Sequence, residues 1–308
     1  MSNTVLKLTE DSILQVIAYY QKNKTASKNP YARFSAKLPD TVVTVYTSGK
    51  VMFQGNGADR EAAKWGMVAP SDRAVSTKGD KLPDGFPQLS VVGSDETGTG
   101  DFFGPITVAA CYVPKDQIAL AHELGVKDSK QLTDDWMRKV APDLKRTFAH
   151  KVLTLKNEKY NHVQSQGWSQ GKIKALLHNQ ALKYVLASIA PEKPDAILID
   201  QFAERAIYYK HIKDEPEIIR ENVLFSTKAE GLHVSVACAS IIARVAFLEE
   251  MDRMSRDVGV TLPKGAGKIV DEVAAKIILK HGETYLKGLT KAHFANTGKA
   301  VTLAKKRL

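Results

Sequence analysis

The sequence predicts an α/β protein: a mixed sheet with flanking helices, preceded by a small α+β unit. Near-continuous apolar strands alternate with amphipathic helices after residue 88. A polar, proline-containing stretch without periodicity occupies residues 71–87. A helix pattern and short strand patterns come before that stretch. We therefore expect an N-terminal domain at 1–70, a linker at 71–87 and a larger domain at 88–308.

The N-terminal domain begins with a helix pattern over residues 9–24, where apolar side chains recur at helical spacing. Three strand-like segments follow: YARFSAK, TVVTVYT and KVMFQG. The segment ADREAAKWGMV then predicts a second helix. Alternate aromatic residues in these strands, such as Tyr31 and Phe34, fit either a core or a nucleic-acid platform.

The larger domain has five strand patterns and two long helix patterns. The strands are QLSVVGSD, GPITVAACYV, HKVLTLKNEKY, DAILIDQF and ENVLFSTKAEG. The helices are GKIKALLHNQALKYVLASIA and VSVACASIIARVAFLEEMDRM. The first strands follow one another and the later ones alternate with helices, so the pattern predicts a mixed sheet with helices on its faces.

Composition narrows the class of protein. The 308 residues carry a net charge of +10, which favours a polyanionic partner such as nucleic acid. The sequence has no apolar run near the roughly 18 residues that cross a bilayer, and no secretory signal. Cys111 and Cys238 fit neither a metal knuckle nor a disulfide framework, so we expect free thiols. These features predict a cytoplasmic protein with no membrane association, and we expect a monomer.

Four carboxylates each follow an apolar strand. Asp95 and Glu96 close the first, Asp200 closes the fourth, and Glu230 follows the fifth. Ligands of open α/β sheets gather beyond the carboxyl ends of strands. Two carboxylates about 4 Å apart repel by roughly 4 kcal/mol at an effective dielectric of about 20. Divalent cations, Mg²⁺ or Mn²⁺, would relieve that repulsion, and two such ions catalyse phosphodiester hydrolysis.

Two details of this region leave alternatives open. Neighbouring strand residues point to opposite faces, so Asp95 and Glu96 share an ion only if the backbone bends or Glu96 reaches around the strand end. The Gly98-Thr99-Gly100 turn exposes backbone groups that could contact a ribose 2′-hydroxyl. Most such turns are only tight turns, and strand-end acids are often only caps.

Four ordered motifs resemble the type 2 ribonucleases H. They are SDETGTGDFFGPITVAA, GVKDSKQLT, ILIDQF and KAEGLHVSVACASIIARV. Within that group the sequence resembles ribonuclease HIII. Gly-Thr-Gly at 98–100 stands where HII has Gly-Arg-Gly, and HNQAL at 178–182 and KAHFANTGKA at 291–300 are similar to HIII. The N-terminal unit is similar to the HIII domain that resembles half of a TATA-binding protein.

The resemblance implies an RNase H-like five-stranded sheet and an endonuclease that cuts the RNA strand of RNA/DNA hybrids. It implies Mg²⁺ or Mn²⁺ dependence and products with 5′-phosphate and 3′-hydroxyl ends. The metal-binding and catalytic acids fall on Asp95, Glu96, Asp200 and Glu230, the last where many relatives have Asp. The N-terminal domain is expected to bind the hybrid.

Substrate contacts are expected at the turn and in the Asp-Ser-Lys segment. The residues are Gly98, Thr99, Gly100, Ser129 and Lys130. The last two would contact phosphate, or merely start a helix and carry a solvated charge. Three other activities remain open: HII-like incision at single ribonucleotides in duplex DNA, a non-catalytic hybrid-binding protein, and a deoxyribonuclease using the same metals.

Overall fold

The computed structural model describes residues 3–27, 29, 31–65, 79–126 and 133–307. The chain divides into two units, Met1–Ser76 and Thr77–Leu308. Each unit has a hydrophobic core made of its own residues.

The first unit is a four-stranded antiparallel sheet in the order β1-β4-β3-β2. Its strands are β1 (Asn3–Lys7), β2 (Ala32–Lys37), β3 (Thr41–Tyr46) and β4 (Lys50–Gly55). Its helices are α1 (Glu10–Tyr19) and α2 (Ala58–Ala62). The sequence analysis missed β1, whose side chains lack a clear two-residue alternation.

The core of the first unit lies between its helices and the sheet. Phe34 and Phe53 are buried in it, whereas Tyr31 is 69% exposed. The two phenylalanines are therefore core residues. The exposed side chain of Tyr31 is accessible to a partner.

The second unit contains a five-stranded mixed sheet in the order β7-β6-β5-β8-β9, which confirms the predicted fold class. The strands β5, β6 and β7 are antiparallel, whereas β5, β8 and β9 are parallel. The strands are β5 (Val91–Thr97), β6 (Ile106–Val113), β7 (His150–Leu155), β8 (Ala196–Asp200) and β9 (Val223–Ser226).

Helices cover both faces of this sheet. One face packs on α4 and α8, and the other packs on α6. The helices are α3 (Ile118–Glu123), α4 (Asp134–Thr147), α5 (Asn157–Ser165), α6 (Gln170–Ile189), α7 (Arg205–His211), α8 (Val234–Val258), α9 (Lys268–His281), α10 (Glu283–Leu289) and α11 (Asn296–Lys305). No helix among the described residues is both long and apolar enough to cross a lipid bilayer.

The start of α8 lies directly against β5. A Cβ atom on Gly93 would stand 2.3 Å from the backbone nitrogen of Val236 and 2.4 Å from the carbonyl carbon of Ser235. Glycine at position 93 is therefore what lets the helix backbone approach the strand.

Residues 79–87, which the sequence analysis assigned to the linker, pack against the second unit. Gly79 forms a β-bridge with Ser226, and the backbone nitrogen of Asp80 donates to the Phe225 carbonyl at 2.8 Å. Phe86 is buried beneath the sheet. The pairing with the edge strand β9 is specific and outweighs the polar composition that suggested a linker.

Both cysteines are free and buried, as predicted from their spacing. They contact each other between β6 and α8, and the hydrogen bond that the Cys111 thiol donates to Cys238, together with burial, raises the pKa of Cys111.

Candidate active site

The parallel pairing of β5 and β8 brings two of the four acids together. The last paired residues are Ser94 and Ile199, so Asp95 and Asp200 occupy the next position on the two adjacent strands. Side chains at matched positions of parallel strands point to the same face. The two carboxylates therefore meet at the carboxyl edge of the sheet, where ligands of such sheets bind.

Glu230 lies beside this pair on a single 3₁₀ turn, Ala229–Gly231, between β9 and α8. The turn begins with Lys228 in the left-handed conformation, at a φ of 57°. It is fixed to β8 because the backbone nitrogen of Ala229 donates to Asp200 Oδ1 at 2.9 Å. This hydrogen bond sets the position of Glu230 relative to Asp200.

The carboxylates affect one another electrostatically. Burial raises the pKa of Asp95 well above its usual value, and the charges of Asp200 and Glu96 raise it further. Burial also raises the pKa of Asp200, with added repulsion from Glu230 and Glu96, although the Ala229 N–H opposes the rise. The structure thus gathers all four predicted acids into one electrostatically coupled cluster.

Glu96 faces the opposite side of the strand from Asp95. The β5–β6 pairing continues through Glu96 and Thr97, so the backbone does not bend between the two acids. The Glu96 carboxylate contacts α6 instead: Lys174 Nζ donates to Oε1 at 2.8 Å, and His178 Nε2 lies 2.9 Å from Oε2. Of the two geometries considered from the sequence, the bent strand is therefore wrong.

These contacts shift the pKa of Glu96 in the direction opposite to that of Asp95. Burial would raise the pKa of Glu96, but His178 and Lys174 outweigh that effect and lower it. His178 is itself fixed, because its Nδ1 lies 2.6 Å from Ser94 Oγ. With the proton on Nε2, His178 donates to Glu96 while Nδ1 accepts from the Ser94 hydroxyl.

Three further residues touch the acids and were not predicted as site residues. Lys174 and His178 reach Glu96 from α6, and Ser240 on α8 hydrogen-bonds Asp95. The HNQAL motif contained His178 and the KAEGLHVSVACASIIARV motif contained Ser240, but neither motif indicated a role for its residue. His233, three residues after Glu230, caps α8 by accepting from the Ser235 nitrogen and is buried.

The Gly98-Thr99-Gly100 turn lies next to the cluster, at the end of β5. Gly98 is buried, with a φ of 97°, and a Cβ there would lie 2.2 Å from the Pro105 carbonyl oxygen. The Thr99 carbonyl accepts from Gln170 Nε2 at 3.0 Å. Gly100 is exposed, and a Cβ there would meet no atom within 4 Å. Gly98 shapes the turn, and Gly100 leaves open backbone beside the acids.

A buried lysine holds the chain that follows this turn. Lys291 Nζ donates to the carbonyl oxygens of Asp101 at 2.8 Å, Gly104 at 2.6 Å and Pro105 at 3.3 Å. Its side chain has no exposed surface, and burial lowers its pKa to about 7. The KAHF motif therefore supplies an internal clamp for the loop at 101–105.

The predicted phosphate contacts, Ser129 and Lys130, lie outside the described residues. Directly after them, Thr133 caps α4 by accepting from the Trp136 nitrogen at 3.3 Å. Asp134 binds Arg244 Nε at 2.9 Å and also pairs with Lys264. These ion pairs fix the start of α4 against α8.

The donor atoms are of the chemical type that a hard divalent cation prefers. All four side chains offer carboxylate oxygens, and among the described residues no lysine or arginine forms an ion pair with Asp95 or Asp200. Within the described ranges, no three Asp, Glu, His or Cys side chains converge on one metal-sized point. Glu96 instead has both oxygens engaged by α6, so its arrangement differs from that of a preformed ligand.

Comparisons with known proteins agree with this fold. Residues 92–297 match the family model described as Ribonuclease HII, and residues 3–78 match a domain of unknown function (DUF3378). The mixed sheet, its cluster of acids and the first match define a type 2 ribonuclease H.

The full-length relatives narrow the class. The chain is 58% identical to Ribonuclease HIII of Lysinibacillus sphaericus, with 97% of this chain and 99% of that one aligned. It is 51% identical to Ribonuclease HIII of Bacillus subtilis over 100% and 99% of the two chains. The crystal structure of Bst-RNase HIII in complex with Mn²⁺ matches with a TM-score of 0.72 and 48% identity, covering 99% of this chain and 100% of that chain. The chain belongs to the ribonuclease HIII family, and RNase H-type enzymes depend on divalent metals.

Proposed function

We propose that this chain is an endonuclease that cleaves the RNA strand of RNA/DNA hybrids and leaves 5′-phosphate and 3′-hydroxyl ends. The observation that carries this proposal is the coupled cluster of Asp95, Asp200, Glu96 and Glu230 in a chain 58% identical to a ribonuclease HIII. Carboxylates gathered at one sheet edge are the ligands that metal-dependent phosphodiester hydrolysis requires.

Asp95, Glu96, Asp200 and Glu230 would hold the divalent ions, for which we propose Mg²⁺ or Mn²⁺. When bound there, two such ions would supply an activated water and stabilisation for the departing 3′ oxygen. Among the protein's own groups, the Ala229 N–H and Ser240 orient the two aspartates, and His178 orients Glu96. Glu230 has one methylene more than the aspartate of many relatives, so its carboxylate reaches further from the 3₁₀ turn.

Substrate recognition is assigned to three parts of the chain. The open backbone of Thr99 and Gly100 contacts ribose 2′-hydroxyls, which distinguish RNA from DNA. Ser129 and Lys130 contact phosphate. Residues 1–70 bind the hybrid as a separate domain through a salt-sensitive interaction with its phosphates. The absence of an arginine at position 99 favours a continuous hybrid over a single ribonucleotide. The predictions of a monomer and of a cytoplasmic location stay predictions.

The test replaces single acids and keeps their shape. Asp95→Asn and Asp200→Asn should each reduce cleavage of a continuous hybrid at least about 100-fold, since even indirect partners of a metal ligand are typically worth roughly 10- to 100-fold. Hybrid binding, measured by fluorescence anisotropy, should remain. Asp116→Asn, an exposed acid outside the cluster, is the matched control.

Three substrates separate the alternatives. With Mg²⁺ or with Mn²⁺, the protein should cut a continuous hybrid and leave an all-DNA duplex intact. Preferential incision of a duplex with one ribonucleotide would indicate HII-like activity instead. Binding without cleavage under either metal would indicate a non-catalytic binder.

A further inference from the structure

Glu96 has a complete set of partners before any metal binds. Its two carboxylate oxygens contact Lys174 Nζ at 2.8 Å and His178 Nε2 at 2.9 Å. Lys174 and His178 are four residues apart and therefore neighbours on one face of α6. The Glu96 and Lys174 side chains are each only 12% exposed. A charged pair with so little solvent is stable only because the two charges compensate each other.

The two partners of Glu96 differ in how firmly they are held. The His178 side chain is fully buried, and its second nitrogen is engaged by Ser94. Lys174 has a flexible stem, and its ammonium lies 4.2 Å from the centroid of the Phe202 ring. This cation–π contact does not depend on Glu96, so the ammonium keeps a partner if the carboxylate leaves.

The two aspartates differ from Glu96 in this respect. Among the described residues, no lysine or arginine forms an ion pair with Asp95 or Asp200. The cluster therefore holds one carboxylate paired with a cation next to two aspartates that lack one. An incoming dication would compensate the aspartates directly, but it has to compete with Lys174 for Glu96.

We propose that Lys174 is the resident counter-ion of Glu96 and that a divalent cation displaces it from the carboxylate on binding, while His178 keeps its contact. The inference rests on the proposed function of the acidic cluster. Lys174 is a positioning residue in this scheme. It keeps Glu96 ionised and in place in the metal-free protein, and its charge weakens metal binding.

Removal of the Lys174 charge should tighten metal binding. A unit charge about 8 Å from a dication changes affinity about five-fold in water, and partial burial enlarges the effect, so we expect roughly ten-fold tighter binding. The measurement is isothermal titration of the full chain with MnCl₂ at fixed pH and low ionic strength. Lys174→Gln and Lys174→Met should both show the gain, and Lys174→Met retains the aliphatic stem against Phe202.

Two controls isolate the position and the charge. Lys172→Gln removes the same charge two residues away, where the ammonium lies 4.4 Å from the Trp168 ring, and should leave Mn²⁺ affinity unchanged. Lys174→Arg retains the charge and should bind Mn²⁺ with wild-type affinity. Circular dichroism melts establish that each variant is folded.

Wild-type or weaker Mn²⁺ affinity in folded Lys174→Gln and Lys174→Met would overturn the inference. Asp95→Asn in the same titration separates this failure from failure of the proposed site. If Asp95→Asn loses affinity while the Lys174 variants bind as wild type does, the site stands and the counter-ion role is wrong. If all of these variants bind as wild type does, metal binds elsewhere and both are wrong.

Discussion

Asp95 and Glu96 are adjacent in the chain but have opposite electrostatic environments. Asp95 lies half-buried beside Asp200 and has a raised pKa, whereas Lys174 and His178 lower the pKa of Glu96. The alternation of a regular strand produces this difference, since the two side chains enter different layers of packed helices. Because metal ligands must be deprotonated, the cation binding that we propose at Asp95 would be coupled to proton release.

The positions of two of the four acids at the sheet edge could be predicted, because the sequence shows where the strands end. Asp95 and Asp200 each follow an apolar run, and the carboxyl ends of parallel strands meet at one edge. Lys174 and His178 could not be placed. Their distance to Glu96 depends on how α6 packs across the sheet, and 78 and 82 residues separate them from it in the chain.

Burial of His233 makes the stability of the fold depend on pH. Burial lowers its pKa to about 4 from an ordinary value of 6.5, while the Leu89 carbonyl partly opposes the shift. Between pH 6.5 and 4 the unfolded chain binds a proton that the folded chain does not bind. The contribution of this group is therefore complete above pH 6.5 and is lost as the pH falls toward 4.

The substitution His233→Asn retains a side-chain cap for α8 and removes the titrating ring. Its free energy of unfolding, measured by urea at intervals from pH 7 to 4, should fall less steeply with acid than that of the wild type. His281→Asn, at an exposed position, should keep the wild-type slope. Equal slopes for wild type and His233→Asn would contradict the assignment.

The helix α8 connects the core to the site. Its first turn follows the Glu230 turn, its small residues lie on the sheet, and Ser240 contacts Asp95. The run of Ala, Ser and Cys made this helix predictable from the sequence. The later helices α9 to α11 pack mainly on other helices rather than on the sheet.

Because α8 packs closely on β5, one methyl group added at position 93 is expected to reduce the stability of the fold strongly. Gly93→Ala should destabilise the protein by about 3 kcal/mol or more, because its Cβ would meet backbone atoms that cannot rotate away. The free energy of unfolding in urea measures this change. Gly298→Ala, in α11 with no atom within 4 Å of the new Cβ, should be neutral or slightly stabilising. If both variants lost similar amounts of unfolding free energy, close packing at Gly93 would not be the cause.

The molecule consists of two units whose cores share no residue. The sequence indicated this division through the change in composition before residue 88. It placed the end of the linker too late, because the pairing of Gly79 and Asp80 with the edge strand β9 depends on contacts with distant residues. A segment of ordinary loop composition gives no local sign that it will join a sheet edge.

Deletion of residues 1–76 should separate binding from chemistry. The thermal midpoint of the remaining unit should change little, since its core is intact. The KM for a long hybrid should rise at least roughly ten-fold through loss of a linked binding module, with a smaller change in kcat. An unchanged KM would refute the binding role of the first unit, and loss of folding would refute its independence.

Lys291 has a consequence for the order in which the protein matures during synthesis. The loop that it clamps includes Asp101, which is translated 190 residues earlier. Nascent domains fold as their residues emerge, at roughly 5 to 20 residues per second. The backbone beside the acids therefore lacks its ammonium clamp for at least about ten seconds after it leaves the ribosome, and a nascent chain that is still attached to its transcript would be a poor nuclease during that time.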